Sequence, residues 1–208
     1  MNFKKEELFI YLIYFVGLFG HLNSSTIHLM KVLTPFTLLV TGGLVLYFTN
    51  EISNKKFLMW LTLTYLITFS LEILGTHTGI IFGEYKYGAT LGVKLFEVPL
   101  IIGFNWILII LGAIKLTSKI SEKIFINALI TGLFCVIFDL VLEPIAIKLD
   151  YWNWMERTIP LQNYLAWFLI SFVFSVLLQK MKIEIKSNLI EKYVLTQFIF
   201  FLTLLIFL

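Results

Sequence analysis

Long runs of apolar residues, separated by short polar gaps, are the feature that most limits what this chain can fold into. Several runs approach or exceed the roughly 18 apolar residues needed to cross the hydrocarbon core of a bilayer. In lipid, such a run must satisfy its own backbone polar groups, which favours helices over barrel strands at these lengths. Charged residues make up only 14% of the 208 residues, against roughly 25% in soluble domains. The sequence therefore predicts an all-α, polytopic integral membrane bundle.

The apolar runs predict about seven transmembrane helices within a single domain that covers residues 1–208. The expected spans are 8–22, 31–49, 57–76, 98–116, 124–147, 160–180 and 190–208. Six spans is the alternative count, because the first run is short and the last reaches the final residue. None of the polar gaps is long enough to form a separate domain.

The basic residues predict how the bundle is oriented. Eleven Lys residues fall on the side of the membrane that holds the N-terminus. Five basic residues fall on the other side: Lys31, Lys86, Lys94, Lys148 and Arg157. Because cytoplasmic loops carry the excess of Lys and Arg, we expect a cytoplasmic N-terminus, with the loops 77–97 and 148–159 facing outward. The net charge of +3 is explained by this placement and indicates no nucleic-acid partner.

Two segments, about 57–116 and 124–180, resemble each other and predict a parallel internal repeat. Each contains a span ending in Leu-Glu, then a loop, then a span with Pro at its first turn, where a missing N–H costs nothing. A Trp follows seven residues after each Pro. The matching residues are Glu72, Pro99 and Trp106 in the first unit and Glu143, Pro160 and Trp167 in the second. Repeats of this kind commonly place a functional site at their shared interface.

Three acids within the predicted spans are the candidate catalytic residues: Glu72, Asp139 and Glu143. Ionisable side chains are expensive in a membrane and usually face a bundle interior or cavity, where they mark function. Asp139 and Glu143 are four residues apart and share one helix face. No Lys or Arg lies in the apolar stretches of spans three to six, so clustered carboxyl groups there are expected to retain a proton. The alternative is a purely structural role in hydrogen bonding.

Polar and aromatic side chains near these acids are the candidates for substrate binding: His77, Tyr85, Tyr87, Asn105, Trp106, Trp152, Trp154, Asn163, Tyr164 and Trp167. His77 lies about one turn beyond Glu72, where it could shuttle a proton or simply hydrogen-bond at the membrane surface. The aromatic residues form either an interfacial belt or the mouth of an apolar tunnel whose π faces stabilise a carbocation. The single cysteine, Cys135, excludes an internal disulfide and a cysteine-rich metal site, and we predict no metal.

At these residues the chain resembles the integral-membrane carotenoid biosynthesis family, which includes the gamma-carotene and bisanhydrobacterioruberin hydratases. The resemblance covers about residues 70–170, while both flanks match only as apolar spans. The matching segments are 72–79, 82–87, 91–92, 98–100, 139–144, 151–154, 159–161 and 163–164, together with Trp106 and Trp167.

The resemblance implies an enzyme that adds water to the terminal isoprenoid double bond of a linear carotenoid. An alkene is a very weak base, so its protonation needs an acid held neutral in a dry pocket. In this interpretation Asp139 or Glu143 is the acid, and Glu72 stabilises the tertiary cation or activates water. Asn105 and Asn163 would position that water. The reaction needs neither metal nor redox cofactor, and the expected partners are the carotenoid and membrane lipid.

Two alternatives remain open at this point. A membrane cyclase of the lycopene type also begins by protonating an alkene, but an internal double bond captures the cation. A proton-coupled transporter could use the same acids at a repeat interface. Transporter acids usually lie near the middle of the bilayer, whereas these lie near one surface.

Overall fold

The computed structural model describes residues 4–49, 53–156 and 158–208. These residues form seven helices: α1 (Lys5–Leu22), α2 (Ile27–Phe48), α3 (Lys55–Thr78), α4 (Ile101–Thr117), α5 (Ile124–Lys148), α6 (Leu161–Lys180) and α7 (Leu189–Phe207). Each predicted span overlaps one of them. Arg157, which entered the orientation prediction, lies outside the described residues.

The helices and the surface of the bundle are suited to a lipid bilayer. Five helices, α2, α3, α5, α6 and α7, are long and apolar enough to cross a membrane, and α4 is a shorter apolar helix. Large apolar side chains remain exposed on the outward helix faces, including Phe36 at 62% and Ile206 at 67%. A surface of this kind is unfavourable in water and suited to a hydrocarbon solvent. The chain is therefore an α-helical membrane protein.

Helix α4 forms the centre of the bundle and packs against α2, α3, α5, α6 and α7. Its residues from Trp106 to Ile114 are all buried. Gly112 allows α7 to approach closely, since a Cβ at that position would lie 2.9 Å from the Cβ of Val194 and 3.0 Å from the carbonyl oxygen of Ile190. Small residues at such crossings are typical of membrane helices, whose association depends on close packing.

Four short strands, which the sequence did not predict, lie in the loops that join α3 to α4 and α5 to α6. They are β1 (Tyr85–Tyr87), β2 (Lys94–Leu95), β3 (Val98–Pro99) and β4 (Trp152–Trp154). β1 and β4 pair antiparallel, with Tyr85 opposite Trp154 and Tyr87 opposite Trp152. Both strands alternate an aromatic, a polar and an aromatic residue, which places the two aromatic side chains of each strand on one face. The two long loops are thus joined by a two-stranded sheet.

The prediction that Pro99 lies in the first turn of α4 is wrong. Pro99 ends β3, which pairs with β2, and α4 begins two residues later at Ile101. The turn of this hairpin is formed by Phe96 and Glu97, both with positive φ, at 51° and 64°. The N–H of Leu100 donates to the carbonyl of Val93 at 2.9 Å, so Leu100 still belongs to the hairpin and the helix begins after it. Pro160 was also predicted in a first turn and likewise lies before its helix, as the residue directly preceding α6.

Candidate active site

Glu72 lies on α3, about two turns before the helix ends, and is 4% exposed. Its Oε2 accepts hydrogen bonds from the hydroxyls of Tyr85 and Tyr87, the latter at 2.7 Å. The indole N–H of Trp106 donates to its Oε1 at 2.8 Å. β1 supplies the two tyrosines and α4 supplies the tryptophan. Three donors that converge on one carboxyl group favour its ionised form.

Glu143 lies near the end of α5 and is held in a similar way by the other loop. The indole N–H groups of Trp152 and Trp154, both on β4, donate to its Oε2 at 3.0 and 2.8 Å. The side-chain amide of Asn163 on α6 donates to its Oε1 at 3.2 Å. Oε2 thus accepts two hydrogen bonds and Oε1 only one, so Oε1 is the oxygen better able to carry a proton.

Asp139 lies one helical turn before Glu143 and is completely buried. Its Oδ2 accepts a hydrogen bond of 2.7 Å from the amide of Asn163, which therefore bridges the two acids. Its Oδ1 has no hydrogen-bond partner among the described residues. The salt bridges found in the described part of the chain involve neither acid. Two neighbouring carboxyl groups without a nearby cation are expected to share a proton.

Glu72 and Glu143 border one small cavity, which we call the carboxylate chamber. Its free volume is about 70 Å³. The other residues that line it are Leu38, Phe82, Tyr85, Tyr87, Leu91, Ile102, Asn105, Trp106, Ile109, Phe138, Leu142, Tyr151, Trp152, Trp154, Asn163, Trp167, Gln197 and Phe201. The walls are mainly apolar and aromatic.

Aromatic rings form much of the chamber wall. The rings of Trp106 and Trp167 lie with centroids 4.1 Å apart, and those of Tyr85 and Trp154 lie 5.1 Å apart. The face of an aromatic ring attracts a cation through its quadrupole. A wall of this composition can therefore stabilise positive charge on an apolar molecule inside the chamber.

Most of the predicted site residues meet at this chamber, but three do not line it. Asp139 reaches it only through Asn163. His77 is exposed, and its Nδ1 lies 2.8 Å from the carbonyl oxygen of Ile73. Five residues along a helix rotate a side chain by about 140°, which turns His77 away from Glu72. Tyr164 follows Asn163 directly and is turned by about 100° for the same reason.

Sequence reasoning missed the contribution of α2 and α7 to the chamber. Leu38 comes from α2, and Gln197 and Phe201 come from α7. An amide within an apolar span, as at Gln197, was the available signal. The side-chain oxygens of Gln197 and Asn105 have no hydrogen-bond partner among the described residues. Buried acceptors of this kind suit a water molecule or a hydroxyl group.

The two tyrosines that donate to Glu72 lie outside the membrane-spanning helices. Burial, and then the negative charge of Glu72, raise the pKa of Tyr85 and Tyr87 well above the usual 10.0. Both hydroxyls therefore remain protonated donors across the physiological range. Among the described residues, no group of three or more His, Cys, Asp or Glu side chains is placed to hold a metal ion.

The chain matches the carotenoid biosynthesis protein family over residues 32–208. It therefore belongs to that family, as the residues of the two acid-bearing units predicted. The match extends into α2 and α7, beyond the segment 70–170 that the sequence motifs covered.

A more specific relative is the bisanhydrobacterioruberin hydratase of Haloarcula japonica, which is 30% identical over 112 residues. The aligned segment is 50% of this chain and 38% of that protein, so the chain spans well under half the length of this relative. No solved structure matches the chain.

Proposed function

We propose that this protein is a carotenoid hydratase, which adds water to the terminal isoprenoid double bond of a linear carotenoid. The observation that carries the proposal is a pair of buried carboxyl groups, Glu72 and Glu143, that border one small aromatic chamber and form no salt bridge within the described part of the chain. The relative named as a hydratase adds support. Strong acid chemistry on an apolar molecule is what this combination suits.

The first step is protonation of the alkene. The proton moves from the carboxyl group of Glu143 to the less substituted alkene carbon, and the π electrons form the new C–H bond. A tertiary carbocation and the Glu143 carboxylate result. We assign the donor to Glu143 because it borders the chamber, whereas Asp139 does not. Asp139, which accepts from the same amide of Asn163, would favour the protonated form of Glu143, because two neighbouring carboxylates repel each other.

The second step is capture of the cation by water. The ionised Glu72, held by its three donors, and the surrounding rings stabilise the positive charge. The oxygen of a water positioned by Asn105 and Asn163 bonds to the tertiary carbon. The water then loses a proton to a chamber carboxylate, and this proton returns to the Asp139–Glu143 pair. The net change is the addition of one water, with no cofactor consumed.

We also propose seven membrane spans in a single domain, 1–208, with a cytoplasmic N-terminus and a parallel repeat of 57–116 and 124–180. The equivalent strands β1 and β4 pair antiparallel, which is the arrangement expected for strands that run across a twofold axis. The equivalent tryptophans, Trp106 and Trp167, pack against each other in the wall of the chamber. Both observations support a repeat with its axis through the chamber.

Pigment analysis tests the proposed reaction. The protein is expressed in a bacterium that makes lycopene or gamma-carotene, and product masses are measured after chromatography. We expect a gain of one water per modified end, lost in Glu143→Gln and Glu72→Gln. Exposed Glu184 provides the matched control, Glu184→Gln, which should behave as wild type. An isomer of unchanged mass would indicate cyclisation and contradict the hydratase, as would the absence of product in all strains.

A further inference from the structure

The carboxylate chamber is far too small for a whole carotenoid. Its free volume of about 70 Å³ accommodates a few water-sized groups, each of which needs roughly 10–15 Å³ by this measure. If the protein acts on the end of a long polyene, as proposed above, most of that chain must lie elsewhere in the protein. Two cavities adjoin the chamber and could hold it.

The larger one, which we call the α2–α3 groove, has a volume of about 800 Å³. Val32, Phe36 and Leu39 of α2 form one side, and each is more than half exposed. Tyr65 of α3 and both Ile101 and Phe104 of α4 also line it. Exposed apolar side chains along its edge mean that the groove opens sideways towards lipid, which is where a carotenoid dissolves.

Among the described residues that line this groove, one also lines the chamber. Leu91 lines both cavities and is 2% exposed. It belongs to an irregular loop, not to a helix, and is followed by Gly92 at a φ of +84°. Because Leu91 lies outside a helix, its side chain can be displaced without breaking a helical hydrogen bond. A small displacement of Leu91 would connect the two spaces.

The hairpin of β2 and β3 lies next to the groove and presents apolar side chains outward. Val93, which lines the groove, is 75% exposed, and Phe96 at the turn is 65% exposed. Exposed apolar side chains beside a membrane-facing opening are suited to insertion into the lipid interface. The hairpin would place the mouth of the groove within the leaflet on the side of the two long loops.

The second cavity lies between α1, α2 and α7 and has a volume of about 340 Å³. It shares Leu38, Tyr151 and Phe201 with the chamber. All three are buried side chains, two of them on packed helices. Opening this wall would displace three core residues, at a higher cost than moving Leu91 alone.

We propose that the α2–α3 groove binds the polyene chain of the substrate, taken sideways from the bilayer, while the reactive end passes Leu91 into the carboxylate chamber. The ligand is a long, apolar, acyclic isoprenoid. The groove would thus select substrates by length, and the chamber by the structure of their end group. The inference deepens the proposed hydratase function and rests on it.

Neighbouring residues of α2 provide a matched test, since Val32 faces the α2–α3 groove and Leu33 faces the second cavity. Val32→Trp and Leu33→Trp are compared in detergent, after confirming equal expression and melting temperature. Each is assayed with a linear carotenoid and with a short acyclic isoprenoid that carries the same terminal double bond.

We expect Val32→Trp to raise the KM for the carotenoid roughly tenfold, with kcat nearly unchanged and the short substrate unaffected. Leu33→Trp should match wild type on both substrates. Impaired carotenoid turnover in Leu33→Trp instead, no effect of Val32→Trp, or an equal loss on the short substrate would each overturn the groove assignment. A wild-type protein inactive on both substrates would instead reject the hydratase function itself.

Discussion

The two acids of the chamber are held by chemically different donors, and the difference bears on their roles. Phenol hydroxyls and one indole surround Glu72, whereas two indoles and one amide surround Glu143. Only Glu143 accepts a hydrogen bond from an amide, and the same amide of Asn163 also donates to a second acid, Asp139. Glu143 therefore lies beside a second acid, whereas Glu72 is surrounded by three donors, which favour an ionised carboxyl group.

Removing a hydroxyl that donates to Glu72 should slow the reaction without unfolding the protein. A hydrogen bond to a charged group contributes about 1.5–3 kcal/mol, so Tyr87→Phe should lower kcat by roughly ten- to a hundredfold. Turnover in purified protein measures the effect. Tyr47→Phe, at a side chain that is 69% exposed on α2, serves as the control. Wild-type turnover in Tyr87→Phe would contradict a role of this contact in stabilising the cation.

The same tyrosines should give the protein a stability limit at alkaline pH. Their pKa is raised in the folded state by burial and by Glu72, above the ordinary 10.0 of an unfolded tyrosine. The stability from their neutral form is therefore fully present below pH about 10 and is lost as the pH rises further. Thermal unfolding as a function of pH should show a decline above pH about 10 that is weaker in the Tyr85→Phe, Tyr87→Phe double variant. An identical decline in that variant would contradict the assignment.

Among the helices, α5 and α6 are joined by a buried polar network on the side of the bundle away from the chamber. Asn127 accepts from Gln179 at 3.0 Å and from Ser175 at 3.4 Å. Thr131 shares a hydrogen bond of 2.8 Å with Thr117 of α4. Within lipid, such bonds join helices that have no hydrophobic driving force for association. The network positions the helix pair that also carries Glu143 and Asn163.

Ser175→Ala should weaken this helix pair, because it leaves Asn127 and Thr131 with one partner fewer. Bonds of this type contribute about 0.6–2 kcal/mol in membrane proteins, and the melting temperature in detergent should fall accordingly. Ser118→Ala, at an exposed serine after α4, is the control. A melting temperature of Ser175→Ala equal to that of wild type would show that the network does not stabilise the pair.

For the molecule as a whole, stability depends on how closely α7 packs against the central helix α4. Gly112→Ala places a methyl group against Val194 and the backbone of Ile190, and overpacking typically costs about 1–3 kcal/mol. Gly43→Ala is the matched control, since a Cβ there meets nothing within 4 Å, and it should be neutral or slightly stabilising. Detergent melting curves compare the two. Equal stability would show that α7 can move away from α4 freely.

The bundle itself could be predicted from the sequence because lipid leaves few alternatives. A long apolar run must form a helix to satisfy its backbone, so the position of each span follows from local composition. The same cost makes acids within spans conspicuous, and Glu72, Asp139 and Glu143 were identified on that ground. Family membership followed from the residues around them, and the match over 32–208 confirms it.

Contacts between segments far apart in the chain could not be predicted in this way. The pairing of β1 with β4 joins residues 85–87 to 152–154, and it decides which aromatic groups donate to which acid. The places of Gln197 and Phe201 at the chamber follow from the packing of α7 on α4 and α5.

Local pattern thus determined the helices, the acids and the family of this protein, because lipid penalises each unpaired polar group wherever it lies in the chain. Only the tertiary structure decided which faces of the helices meet. That choice excluded His77 and Tyr164 from the chamber and placed Leu91 in the lining of both the chamber and the α2–α3 groove. The physical reason is that packing depends on the summed contacts of distant segments, which no single segment encodes.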